Sequence, residues 1–158
     1  MHSRAQELIR ALNLRPHPEG GHYAEVFRSG RRVRPLDRNE RAAVTTIYFL
    51  LCAGEHSRWH RVRSDEVWHW YEGDPLELVL LDDAGLRRVR LGPTAKDTRP
   101  VAVVDADCWQ AARPLGNYTL VGCTVAPGFE FEDFALMADE LEVIERLRGE
   151  YPEVVQLV

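Results

Sequence analysis

No apolar run in this chain approaches the ~20 residues that a helix needs to cross a bilayer. The N-terminus also lacks the apolar core of a signal peptide, so the expectation is a cytoplasmic protein with no membrane partner. Cysteine is scarce. Cys52, Cys108 and Cys123 are odd in number, widely spaced and set in apolar or strand-like runs. They read as reduced, buried thiols, and none stands beside a motif that would make it a nucleophile. Excess positive charge is missing too: 20 Lys and Arg against 25 Asp and Glu leave a net charge of -5. That argues against a nucleic-acid partner, because phosphate binding needs a basic surface. With no repeat, low-complexity tract or linker, the 158 residues read as one domain, 1–158, large enough to bury a core.

Helical signals are confined to the two ends. Ser3 to Asn13 carries a capping box in Ser3 and Gln6 and an apolar face of Ala5, Leu8, Ile9 and Leu12, with Pro16 and Pro18 beyond it. Asp139 and Glu142 form a second capping box before Leu141, Ile144 and Leu147, and Gly149 and Pro152 end that helix.

Between them the sequence alternates and turns. Strands are expected at His22 to Arg28, Ala42 to Leu51 (buried on both faces), Ser57 to Val62, Glu66 to Tyr71, Leu76 to Leu81 and Leu86 to Leu91. Shorter ones follow at Val101 to Val104, Trp109 to Ala112 and Thr119 to Val125, before an aromatic run of Phe129, Phe131 and Phe134. Ser57 to Val62 and Glu66 to Tyr71 look like a hairpin about Arg63-Ser64-Asp65. Ser29 to Arg41 reads as an arginine-rich loop, either solvated or a clamp for phosphate or carboxylate. Many short strands with no alternating helices give an all-β sandwich or barrel and argue against a dinucleotide-binding fold.

The stretch Gly54 to Gly73, GEHSRWHRVRSDEVWHWYEG, holds three of the six histidines and three of the four tryptophans. Metal-capable and titratable side chains set among strands mark the place to look for chemistry. Upstream, HPEGG at 17 to 21 is a polar turn in which Gly20-Gly21 permits positive φ or close backbone approach. His17 and Glu19 either rim a pocket or sit on an exposed turn.

The order Gly54, five residues, His60, one residue, Val62, three residues, Glu66, six residues, Gly73 resembles the first cupin motif, with Val62 where a second His is usual. HPEGGHYAEVFRS, WHRVRSDEVWHWYEGDPLELVLLD and LVGCTVAPGFEFEDFAL resemble the DUF985 or Cupin_5 family, from about His17 to Met137. The resemblance implies a double-stranded β-helix, a jelly-roll barrel with short N- and C-terminal helices, and a ligand in its mouth. In the second cupin motif, Asp105-Ala106-Asp107 stands at the turn and Gln110 where the His belongs. His60 and Glu66 therefore remain as the catalytic pair or as ligands of a divalent ion.

If Glu66 points inward, strand parity brings Trp68 and Trp70 with it and turns His69 away; if His60 points inward, so do Arg58 and His56 where the strand is regular. Arg58, Trp68, Trp70, Gln110, Tyr23 and Glu19 are thus the expected ligand-binding set, with the tryptophans either core or pocket wall. Two ligands fall short of the three a Zn²⁺, Fe²⁺ or Mn²⁺ site needs, and the cofactor stays open: a divalent ion or none.

Two functions remain. One is an enzyme on a small polar ligand, by metal-assisted or sugar-nucleotide epimerase-like acid–base chemistry, with Tyr23, Tyr48 or Tyr118 as acid. The other is a non-catalytic binding module that has lost the metal site. The fold also implies a homodimer, since the edges of a small sheet need cover.

Overall fold

A computed structural model describes residues 2–158. In chain order the chain forms helix α1 (Ser3–Ala11), then strands β1 (Arg15–Pro16), β2 (His22–Arg28), β3 (Arg32–Val33), β4 (Arg41–Ala42), β5 (Thr45–Cys52), β6 (Ser57–Val62) and β7 (Asp65–Gly73). Strands β8 (Leu76–Asp82), β9 (Gly85–Leu91), β10 (Val101–Val104), β11 (Trp109–Pro114), β12 (Tyr118–Ala126) and β13 (Phe134–Leu136) follow, then helix α2 (Leu141–Glu150). Three short 3-10 turns lie at Phe131–Asp133, Met137–Asp139 and Pro152–Leu157.

The strands build two facing sheets, with one further small pair. One sheet runs β1-β2-β5-β12-β7-β10, the other β13-β6-β11-β8-β9, and β3 pairs with β4. This is the jelly-roll architecture, with a helix at each end of the chain. The β8–β9 hairpin forms about Asp82-Asp83-Ala84-Gly85 as expected. The pair β6–β7 does not: β7 joins β12 and β10 in one sheet while β6 joins β11 and β13 in the other. Arg63-Ser64 is a crossover between sheets, and this is why His60 and Glu66 face each other across the interior instead of lying side by side.

Three apolar clusters fill the molecule. Phe49, Leu51, Trp68, Leu76, Leu78, Leu80 and Val121 occupy the space between the sheets. Outside the smaller sheet, Trp59, Val79, Leu81, Trp109 and Ala111 pack under Met137, Ile144, Leu147, Val154 and Leu157. Outside the larger one, Leu50, Cys52, Tyr118 and Leu120 lie under Ala5 and Leu8 of α1. β8 is thus buried on both faces except at its last residue, and β5 shares that character only in its second half.

Several expected details differ. The cap of α1 is His2, whose Nδ1 accepts from the Arg4 amide at 3.3 Å, and Ser3 is the first helical residue. The helix stops at Ala11 because Asn13 adopts φ 53°, a left-handed conformation that asparagine tolerates. At α2 the cap is Glu140, without a side-chain bond, and Asp139 lies in the preceding 3-10 turn. The arginine-rich loop contains β3 and is not wholly solvated. Arg41 is buried, and its Nε and Nη2 donate to the two carboxylate oxygens of Asp133 at 2.8 and 3.0 Å. Arg38 approaches the same carboxylate at 3.3 Å. The guanidiniums clamp a carboxylate of their own chain.

Candidate functional site

At one end of the space between the sheets the packing stops and leaves a cavity of about 290 Å³. Its walls come from five places: His17 and Glu19 from the HPEGG turn, Tyr23 and Glu25 from β2, His60 from β6, Glu66 from β7 and Cys123 from β12. Phe129, Phe131 and Phe134 close one side, and Arg15 and Arg28 stand on the wall with them.

The HPEGG turn reaches this position because it is folded inward, not exposed. Gly20 and Gly21 have φ of 114° and 66°. A Cβ on Gly20 would collide with the His56 carbonyl, and one on Gly21 would come within 2.6 Å of the Leu50 carbonyl. Only glycine permits both the backbone conformation and the approach. The turn delivers a Glu19 that is 7% exposed.

A β-bulge completes the constellation. Gln110 pairs with His60 and Ala112 with Ser57, so three steps on β6 oppose two on β11. Ser57 and His60 consequently face the same way, and Arg58 turns outward. The Ser57 hydroxyl donates to Glu19 Oε1 at 3.0 Å and lies 3.4 Å from His60 Nδ1. His60 Nδ1 is 2.7 Å from the Arg58 carbonyl, which can only accept. Nδ1 therefore carries a hydrogen, and in the neutral ring the lone pair sits on Nε2. That Nε2 is 3.3 Å from Glu19 Oε2. His17 is the other tautomer: its Nδ1 accepts from the Glu19 amide at 3.2 Å, leaving the hydrogen on Nε2.

Burial sets the protonation of all four groups. It pushes the Glu19 carboxyl up to about 8, against the hydrogen bond from Ser57. It also raises Glu66, which the charge of His60 partly opposes. The same desolvation lowers His60, with Glu66 pulling the other way, and takes His17 down to about 4. Near neutral pH the His60–Glu19 pair holds one proton between two competing bases. Cys123 is raised well above its ordinary value by burial and by the adjacent carboxyls, so it remains a thiol.

Of the expected residues, His60, Glu66, Tyr23 and Glu19 line the cavity. Arg58, Trp68, Trp70 and Gln110 do not. Arg58 is rotated out by the bulge and donates to the Pro18 carbonyl. Trp68 does point inward, as parity requires, but at 1% exposure it fills the core. Trp70 packs against that core as well. The aromatic wall comes instead from Tyr23 and the Phe129–Phe134 segment. Gln110 sits behind the wall, taking the Trp68 indole N–H at 3.0 Å on its oxygen and donating to Glu66 Oε2 at 2.6 Å. His56 does not line the cavity either. Among the possible tyrosine acids, Tyr118 is held by Glu72 and Tyr48 stacks edge-on with Tyr71 outside the barrel, leaving Tyr23.

A divalent ion at His60 and Glu66 does not suit this arrangement. Gln110 turns its N–H, not its oxygen, toward the carboxylate, and Val62 supplies no donor. Among the described residues no three His, Cys, Asp or Glu side chains converge as a ligand set, where such an ion needs at least three.

Sequence reasoning missed Ser57 and the phenylalanine segment; for His17 it left a pocket rim and an exposed turn both open, and His17 lines the cavity. The HPEGG glycines carried a signal for the turn, and the aromatic spacing one for the segment. The bulge that recruits Ser57 left none.

Two solved structures are similar to this chain over nearly its whole length. A hypothetical protein from Leishmania major is 32% identical with a TM-score of 0.82, covering 98% of this chain and 96% of that one. A protein from Shewanella oneidensis is 34% identical with a TM-score of 0.83, covering 97% and 95%. Oxalate decarboxylase from Bacillus subtilis, at 15% identity and a TM-score of 0.60, covers 90% of this chain and 36% of its own, a likeness of fold alone. No curated protein matches this chain. Residues 6–137 fit the family described as Cupin superfamily (DUF985), and with the jelly roll and its mouth-facing His60 and Glu66 in view, the chain belongs to that family.

Proposed function

We propose that the protein binds a small polar molecule in this cavity and moves a proton on it without a metal ion. The observation that carries the reading is the 3.3 Å approach of Glu19 Oε2 to the unprotonated Nε2 of His60 at the cavity wall. A neutral imidazole with its Nδ1–H tied to a carbonyl is a competent general base, and a carboxyl raised to about 8 is a competent acid near neutral pH. Nε2 takes a proton from a ligand carbon beside a carbonyl, and the electron pair moves into that carbonyl. A proton from Glu19, Glu66 or the Tyr23 hydroxyl then returns to the ligand. Nothing is oxidised or reduced, so the step is an isomerisation or epimerisation.

The test is solvent deuterium exchange. A carbonyl-bearing ligand found by screening, held with the protein in D₂O, is expected to gain deuterium at the carbon beside its carbonyl. The near-isosteric His60→Gln is expected to slow that exchange by ~10²-fold or more, the scale of a lost general base. A ligand that binds wild type and the variant alike, with no exchange in either, overturns the reading. The Gln110 bridge to Glu66 favours the second reading, a module that holds its ligand and does not turn it over, and that same outcome would establish it.

The proposal includes a homodimer. Tyr71, Val101 and Val103 stand exposed on the outer face of the larger sheet, where β7 and the edge strand β10 meet, and the neighbouring Val67 and His69 add no fixed charge. Apolar side chains beside an open edge suit pairing with a second copy.

A further inference from the structure

One guanidinium on the cavity wall has no anionic partner among the described residues. Arg28 is held between Glu25 and Glu130, with Nη2 to Glu25 at 2.9 Å and Nη1 to Glu130 at 2.8 Å. Arg15 makes no hydrogen bond or ion pair to any described residue. It rests instead on a ring: its guanidinium lies 5.1 Å from the centroid of Tyr23, its cross-strand neighbour in β1–β2. The same ring meets the His17 imidazole edge-on at 4.5 Å. Three side chains with hydrogen-bond donors therefore adjoin one another in the cavity lining: Arg15, Tyr23 and His17, the last with its hydrogen on Nε2.

We propose that Arg15 binds a carboxylate of the ligand, making the substrate a small hydroxy- or oxo-carboxylic acid with its reactive carbon toward His60. The assignment rests on the acid–base reading above and deepens it. Charge selects the group. Arg28 with Glu25 and Glu130 already leaves an excess negative charge on the rim, and Arg15 offers one positive charge against it. A carboxylate brings a single charge and matches the guanidinium fork with two parallel hydrogen bonds. A phosphate would bring nearly two charges toward two carboxylates that already have a surplus. The interior has no cation to hold an anion deeper down, because His60 and His17 are both kept neutral. Size agrees: at water's ~30 Å³ share of liquid volume, about 290 Å³ holds about ten heavy atoms.

The experiment compares matched probes on the intact chain by calorimetry and ligand-observed NMR: D-glycerate, glycerol 3-phosphate and glycerol, then D-glucuronate, glucose 6-phosphate and glucose. In at least one set the carboxylate is expected to bind ~10-fold or more tightly than its neutral counterpart, about 1.4 kcal/mol. Arg15→Gln, a substitution at an exposed side chain, is expected to erase that advantage, and Arg15→Lys to restore part of it. Preference for either phosphate over its carboxylate overturns the proposal, as does a carboxylate advantage that survives Arg15→Gln, or no carboxylate binding in the millimolar range. The two readings fail separately. Loss of selectivity in Arg15→Gln with no deuterium exchange in wild type leaves this inference standing and removes proton transfer. Exchange lost in His60→Gln but indifferent to Arg15→Gln does the reverse.

Discussion

Glu19 is a carboxylic acid kept where a carboxylate is costly, and that cost is measurable. Its folded value of about 8 lies above the ordinary 4.5. The neutral group's contribution to stability is complete below pH 4.5 and is lost as pH rises through 8. Glu19→Gln keeps the shape and cannot ionise. It is therefore expected to gain stability relative to wild type as pH climbs through that window, levelling above it at about 5 kcal/mol. Urea unfolding at pH 5, 7 and 9 checks this, and a difference that shrinks toward alkaline pH refutes the assignment of a buried neutral acid. His17 works in the opposite sense. Its folded value near 4 lies below the ordinary 6.5, so the stability it contributes is present above 6.5 and fades as pH falls toward 4. At this scale the motif spacing made His60 and Glu66 legible. Glu19 and Tyr23 were nameable but could not be placed, because a turn's direction depends on what its glycines pack against. Ser57 was out of reach, since a bulge is a property of two strands and the sequence shows only one.

At the scale of elements, the roof of the cavity is held from a distance. The Phe129–Phe134 segment has few backbone ladders of its own. It is tied down by Arg41 to Asp133, by Arg28 to Glu130 and to the Phe129 carbonyl, and by the Phe129 amide to Thr45 Oγ1 at 2.9 Å. Arg41 holds the Asp133 carboxyl below its usual range, chiefly through their hydrogen bonds. Removing the Arg41 guanidinium takes both of its hydrogen bonds from the buried Asp133 carboxylate and leaves it Arg38 alone, at 3.3 Å, so Arg41→Ala is expected to cost about 3 kcal/mol, while the paired replacement of Arg41 and Asp133 by apolar residues costs much less. Hydrogen exchange of amides 129–134 should rise in the single variant, and an unchanged roof would show that the clamp does not hold it. Strand positions were read well, because alternation and turn residues are local. The β6–β7 connection was misread as a hairpin because a three-residue turn looks the same whether the next strand returns beside its predecessor or crosses to the facing sheet. The same limit applied to Arg41: an arginine in a polar loop carries no mark of the aspartate ninety-two positions away that buries it.

For the whole molecule the unresolved economy is its outer surface. α1 covers one part of the larger sheet and α2 covers the smaller sheet, but no element among the described residues covers the strip where β7 and β10 meet. Tyr71 at 48%, Val101 at 46% and Val103 at 52% exposure lie there together. A second copy laid on this strip would bury those side chains on both partners about a two-fold axis, and a stable pair needs about 800 Å² from each. Sedimentation at micromolar concentration should therefore find a species of twice the 18.1 kDa chain mass. Val103→Asp places a charge at the centre of the strip while leaving the cavity, on the opposite face of the sheet, untouched. It is expected to weaken the pair by ~10-fold or more, about 1.4 kcal/mol or above, with probe binding in the cavity unchanged. A wild type that sediments only as single chains removes the dimer without disturbing the site, whereas a variant that loses pairing and ligand together would mean that the cavity is complete only in the pair.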